Sequence, residues 1–141
     1  MKNTTQGFTA DLTIAGSNCQ AFGNDIAELL LEVQYQTKDR LNVKMYPKYL
    51  SDSNHTEYVL SPDLVPAPEG DGSTTEDSSD LKLEWTNDPS FQFRVLRSKN
   101  GEELFSTYGK VIVYEDQFLE LATSMVKVRS LQHLTFPRTC S

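Results

Sequence analysis

The chain has 141 residues, 38% of them hydrophobic and 23% charged, which suits one globular domain. Its net charge of −7 argues against a nucleic-acid partner, because a phosphate-binding surface needs clustered lysine and arginine. No apolar run approaches the roughly 20 residues that cross a bilayer, so no membrane partner is expected. Residues 1–7 lack the apolar core of a signal peptide.

Alternation of apolar and polar residues predicts strands in the first third of the chain. In residues 7–15 every second side chain is apolar, which is typical of a half-buried strand. Residues 24–36 are ambiguous at first, since their apolar positions fit both helical and alternating spacing. The polar turn Thr-Lys-Asp-Arg at residues 37–40, followed by a second alternating run, favours a β-hairpin.

The second half of the chain also has strand patterns, after a polar interruption. Residues 61–80 hold three prolines, two glycines and six acids, which predicts an exposed, mobile acidic loop. Strands resume at residue 81, every second residue from Phe91 to Val95 is apolar, and Asn100-Gly101 indicates a hairpin turn. Seven or eight strands separated by turns predict an all-β fold, an antiparallel β-sandwich.

No catalytic, cofactor-binding or metal site is predicted from the residue types and their spacing. The histidines, His55 and His133, and the cysteines, Cys19 and Cys140, fit neither a nucleophile motif nor a zinc motif. The two cysteines do allow one disulfide. Adjacent carboxylates at positions 102–103 and 115–116 point to opposite faces of a strand, so they are interpreted as surface charges rather than as a glycosidase pair.

Two features leave a modification site and a binding function open. Asn3 and Asn54 each begin an acceptor triplet for N-glycosylation, which makes both candidate sites. Four aromatic residues are candidates for a sugar-stacking platform, although strand aromatics are more often core residues. The candidate platform comprises Tyr46, Trp85, Tyr108 and Tyr114. An oligosaccharide is therefore a candidate ligand.

Two long segments resemble the N-terminal domain of fungal alpha-glucosidases of glycoside hydrolase family 31. They are DPSFQFRVLRSKNGEELFST, beginning at Asp88, and VIVYEDQFLELAT, beginning at Val111. In that family an F-x-F-x-V-x-R strand leads through a Gly-Glu turn to L-F-x-T, and then to E-D-Q-[FY]-L-E-L. The opening GFTADLTIAGSNC is similar to the start of the same domain, so the resemblance covers residues 7–126.

The resemblance implies a galactose-mutarotase-like β-sandwich that precedes a (β/α)8 barrel in an extracellular enzyme. Retaining hydrolysis of alpha-linked glucose would be performed by two aspartates of the barrel, which have no counterpart in this chain. This chain is therefore expected to be inactive alone, to pack on the barrel and to help wall the substrate pocket. The alternatives are a free-standing carbohydrate-binding module and a structural β domain without a sugar ligand.

Residues 127–141 differ from the family's expected continuation and are interpreted as an atypical basic tail. They carry Lys127, Arg129 and Arg138 and no acid, whereas the rest of the chain is strongly acidic. Pro137 lacks a donor for a strand ladder, and the charges oppose burial. The domain is thus predicted to comprise residues 1–126, to be followed by the tail, and to be incomplete at its C-terminal end.

Overall fold

The computed structural model describes residues 1–14, 24–50, 64–66, 68–110, 112–115 and 118–121. These residues form nine strands and one short 3-10 helix, Lys48–Leu50. The strands are β1 (Lys2–Thr4), β2 (Gly7–Thr13), β3 (Glu28–Thr37), β4 (Arg40–Pro47), β5 (Leu81–Thr86), β6 (Gln92–Arg97), β7 (Glu103–Ser106), β8 (Ile112–Glu115) and β9 (Phe118–Leu121). No helix in the described ranges is long and apolar enough to cross a membrane.

The first sheet has the order β1-β2-β3-β4, and each neighbouring pair is antiparallel. The hairpin predicted within residues 25–46 is confirmed, with Lys38 and Asp39 between the paired residues Thr37 and Arg40. The Thr37 hydroxyl donates to the Asp39 carboxylate at 2.9 Å. The strand prevails over the helical spacing because alternation places every second residue of β3 on one buried face.

The second sheet has the order β5-β6-β7, and β8 pairs with β9 as a separate two-stranded ladder, all antiparallel. The turn predicted at Asn100-Gly101 is confirmed. Gly101 has a φ of 68°, in the region that favours glycine, and its N–H donates to the Arg97 carbonyl at 2.9 Å. The side-chain carbonyl of Asn100 accepts from the Glu102 N–H at 3.2 Å, which fixes the entry to β7.

The two larger sheets pack face to face, so the predicted antiparallel β-sandwich is confirmed. Leu31 and Val33 from the first sheet meet Leu83 and Phe93 from the second in a fully buried cluster. The apolar face predicted from Phe91 to Val95 is part of this core. Partly buried hydrophobic residues surround the cluster, namely Phe8, Ala10, Leu12, Leu41, Val43, Met45, Phe91, Val95, Phe105 and Ile112.

The acidic loop differs in part from its prediction as an exposed segment. Most of its described residues are exposed, but Thr74 and Ser79 are buried. The Asp71 N–H donates to the Gln36 carbonyl at 2.7 Å, and the Ser79 hydroxyl donates to the Lys38 carbonyl at 3.1 Å. Residues 68–80 are therefore anchored along the end of the β3–β4 hairpin. Composition could not show this, because the anchors are backbone carbonyls of another part of the chain.

Several predictions fall on residues outside the described ranges. These are the tail 127–141, the candidate disulfide of Cys19 and Cys140, both histidines and the second glycosylation triplet at Asn54. They stay predictions.

Candidate functional site

The adjacent carboxylates Glu102 and Glu103 pair with two different arginines, which keeps them separate. Glu102 lies 3.1 Å from Arg97 Nε, and Glu103 lies 3.7 Å from a guanidinium nitrogen of Arg94. Both pairs are at the surface. This agrees with their interpretation as surface charges. The side chains of the second predicted pair, at positions 115–116, lie outside the described part of the structure.

Among the described residues, the carboxyl groups with clearly shifted pKa values are all shifted downward. A hydrogen bond from Arg94 lowers the pKa of Glu84, and a hydrogen bond from Lys48 lowers the pKa of Asp11. The pKa of Asp71 is lowered to about 2, mainly by a threonine hydroxyl that donates to it. A glycosidase acid needs a raised pKa in order to hold its proton near neutral pH. These three groups are therefore ionised structural charges. Within the described ranges, no cluster of three His, Cys, Asp or Glu side chains could hold a metal.

The aromatic residues of the candidate sugar platform lie on different faces of the sandwich. Tyr46 is on the outer face of β4, where the Lys44 ammonium lies 4.7 Å from its ring centroid. Tyr108 follows β7, with the Arg94 guanidinium 5.1 Å from its ring on the outer side of the second sheet. Trp85 lies on the inner face of that sheet. These three residues do not form one platform, because Tyr46 and Tyr108 lie on the outer faces of different sheets and Trp85 lies on an inner face. The fourth aromatic, in β8, has a side chain outside the described set.

Trp85 lies on the core-facing side of its sheet, yet it is half exposed. It pairs with Phe93 across β5 and β6, and it alternates with Leu83, two residues earlier. Leu83 is 6% exposed, whereas Trp85 is 46% exposed. The core face of β5 thus continues beyond the part that the first sheet covers. Alternation along β5 places Trp85 on the same face as Leu83, but only the packing of the sheets shows that this part of the face is open.

A cleft with a volume of about 210 Å³ opens beside Trp85 between the two sheets. Its walls include Phe8 and Leu12 from β2, together with Trp85 and the neighbouring Phe91, whose ring centroids are 6.5 Å apart. Most of its lining residues are apolar, with Asp11 and Asn87 as the polar members. Pockets for small ligands commonly have volumes of about 300–1,000 Å³ with several convergent polar groups. The cleft therefore suits an apolar side chain better than a sugar.

Comparison with known proteins identifies the relatives of this chain. No protein-family model matches it. It is 42% identical over 134 residues to an alpha-glucosidase of Aspergillus oryzae (strain ATCC 42149 / RIB 40), and 40% identical over 139 residues to an alpha-glucosidase of Aspergillus niger. It is also 33% identical over 136 residues to an alpha-glucosidase of Schizosaccharomyces pombe (strain 972 / ATCC 24843). These matches cover 95%, 96% and 95% of this chain.

The chain is homologous to a segment of fungal alpha-glucosidases. The resemblance predicted from the motifs is thereby confirmed. The chain spans about 14% of the length of the two Aspergillus alpha-glucosidases and 13% of the Schizosaccharomyces pombe one, so it corresponds to one segment of them. The Aspergillus niger match leaves about six of the 141 residues uncovered, and so includes part of residues 127–141. The similarity therefore extends beyond residue 126, where the motifs ended.

Proposed function

We propose that this chain is the non-catalytic N-terminal β-sandwich portion of an alpha-glucosidase. In the whole enzyme it packs against the catalytic barrel and helps to wall the pocket in which terminal alpha-linked glucose is hydrolysed. The main observation for the proposal is the match to the Aspergillus oryzae alpha-glucosidase. The two sequences are 42% identical over 95% of this chain, but the matched segment is only 14% of the length of that enzyme. A similarity so continuous is expected of a segment that folds in the same way in both proteins.

The charges of the described residues support a non-catalytic role. Retaining glycosidases place two carboxyl groups about 5 Å apart, one of which must stay protonated until it donates to the leaving group. Here Glu84 lies 2.7 Å from Arg94, and Asp11 lies 2.9 Å from Lys48. Such partners favour the ionised carboxylate, and they occupy the oxygens that a sugar would have to approach. These two carboxylates are therefore unsuited to hydrolysis, which supports the proposal that the hydrolytic carboxylates lie in the part of the enzyme outside this segment.

A replacement experiment tests the proposal. The matched segment of the Aspergillus oryzae enzyme is deleted, or it is replaced by this chain, and both products are assayed for glucose release from maltose. We expect the deletion to be inactive, the replacement to be active, and the isolated 141-residue chain to release no glucose above buffer. Hydrolysis by the isolated chain would refute the proposal, and so would a folded replacement enzyme without activity.

A matched pair of substitutions shows whether the sandwich itself is required. Leu31 is 1% exposed in the core, whereas Leu64 is 75% exposed. In the replacement enzyme, Leu31→Asp should abolish activity, because a buried unpaired carboxylate opposes folding. Leu64→Asp makes the same chemical change at the surface and should leave activity intact. Equal activity of the two variants would contradict a structural role for the sandwich.

We further propose that the parent enzyme is extracellular and carries a glycan at Asn3. Asn3 is exposed in β1, an edge strand of the first sheet, and Thr5 of its triplet is exposed in the following turn. When the chain is secreted from yeast behind a signal peptide, peptide-N-glycosidase should reduce its mass, and Asn3→Gln should remove that glycan. The variant Asn54→Gln reports the second triplet separately. Secreted protein with an unmodified Asn3 would refute the assignment.

A further inference from the structure

The uncovered core face at Trp85 lies at one edge of the second sheet. Among the described strands, β5 is one of the two edge strands of the second sheet. The N–H groups of Leu81 and Leu83 donate to the Ser79 hydroxyl at 3.1 Å and to the Tyr35 hydroxyl at 3.2 Å, so both point away from β6. Alternation directs the N–H of Trp85 the same way. The N–H groups of Leu81 and Leu83 thus already have acceptors, so a further strand could pair with β5 only near Trp85, beside the cleft.

We propose that the cleft beside Trp85 holds an apolar side chain from the part of the alpha-glucosidase polypeptide outside this segment. The inference rests on the proposed function and names the face through which the sandwich joins the larger enzyme. An apolar cavity of about 150 Å³ can hold a benzene ring, so the cleft volume of about 210 Å³ admits a leucine or phenylalanine side chain. A strand that pairs with β5 at Trp85 would bring such a side chain to the cleft.

The length of the relatives favours this occupant. The segment is about 14% of the Aspergillus oryzae enzyme, so most of the polypeptide that could cover an open core face lies elsewhere in the enzyme. The cleft's apolar walls continue the core of the sandwich, because Leu31 belongs both to the buried cluster and to the lining. Burial of the half-exposed Trp85 ring would add to the hydrophobic stabilisation of the assembled enzyme.

Hydroxyl-radical footprinting tests the inference with native side chains. Trp85 is the sole tryptophan of the chain, and Tyr49, which is 70% exposed in the 3-10 helix, is the control. Oxidation of both residues is measured by peptide mass spectrometry in the isolated 141-residue chain and in the replacement enzyme. We expect the oxidation rate of Trp85 to fall severalfold in the replacement enzyme, while the rate of Tyr49 stays the same.

Each alternative occupant gives a different result. Equal oxidation of Trp85 in the isolated chain and in an active replacement enzyme would overturn this inference and leave the proposed function standing. A folded but inactive replacement enzyme would overturn the proposed function, and this inference with it. Protection of Trp85 from oxidation in the isolated chain would also overturn the inference. Protection that grows with chain concentration would identify a second copy as the occupant, and protection that appears only with added maltose would identify a sugar. Protection that is the same at every dilution would show that the chain covers its own cleft.

Discussion

The hydroxyl of Tyr35 joins the two sheets through one buried hydrogen bond, and its removal gives a quantitative test of the fold. Tyr35 is 1% exposed on β3, and its oxygen accepts from the Leu83 N–H of β5 at 3.2 Å. β5 is an edge strand among the described strands, and this N–H points away from β6. The tyrosine oxygen therefore provides the hydrogen-bond acceptor that a carbonyl of a neighbouring strand would otherwise supply. Burial also raises the pKa of Tyr35, because its ionised form would lose hydration.

Tyr35→Phe keeps the ring and deletes the acceptor. The Leu83 N–H then stays buried without a partner, which costs about 1–3 kcal/mol of the free energy of unfolding. Tyr35→Ala also removes the ring and leaves a cavity, so its cost should reach about 3–5 kcal/mol, as for other large-to-small aromatic changes in cores. The order of stability should therefore be wild type, then the phenylalanine variant, then the alanine variant.

Urea unfolding followed by Trp85 fluorescence measures these differences, and Tyr49→Phe is the matched control. Tyr49 is 70% exposed, so deletion of its hydroxyl should leave the free energy of unfolding unchanged. If Tyr35→Phe is no less stable than Tyr49→Phe, the hydrogen bond between the sheets contributes nothing. The account of how the edge of β5 is satisfied would then be wrong.

Three further predictions concern the acidic loop, the first hairpin and the tail. The pKa of Asp71 is lowered from 3.8 to about 2. Its contribution to stability is therefore present above pH 3.8 and is lost as the pH falls through about 2. Asp71→Asn should remove this pH dependence, so its acid-unfolding curve should be flatter between these two pH values than that of the wild type. A Cβ at Gly7 would lie 2.0 Å from the Val33 carbonyl oxygen, so Gly7→Ala should destabilise the chain by about 1–3 kcal/mol or more in urea unfolding, and an unchanged midpoint would contradict this contact. Residues 127–141 should show fast amide hydrogen exchange, and slow exchange there would instead identify the tail as a structural element.

The strands and the resemblance to alpha-glucosidases could both be predicted from the sequence, because each depends on residues that are close together along the chain. Side chains alternate across a strand whatever surrounds it, so the face that includes Phe93, the hairpin from β3 to β4 and the turn at Gly101 could be predicted before the sheets were seen. The family motifs are likewise contiguous runs of residues. The absence of a catalytic prediction followed from the spacing of the histidines, cysteines and carboxylates along the chain.

Only the tertiary structure decided which of these faces are covered. Tyr46, Trp85 and Tyr108 are similar residues in similar patterns, but the packing of the sheets places them on different surfaces. Likewise, an acidic loop with little apolar content has buried residues because the end of the β3–β4 hairpin offers it unpaired carbonyls. The exposure of Trp85 depends on how far one sheet extends over the other, and the anchoring of the loop depends on backbone groups that are distant in sequence. Alternation along a single strand gives no information about either.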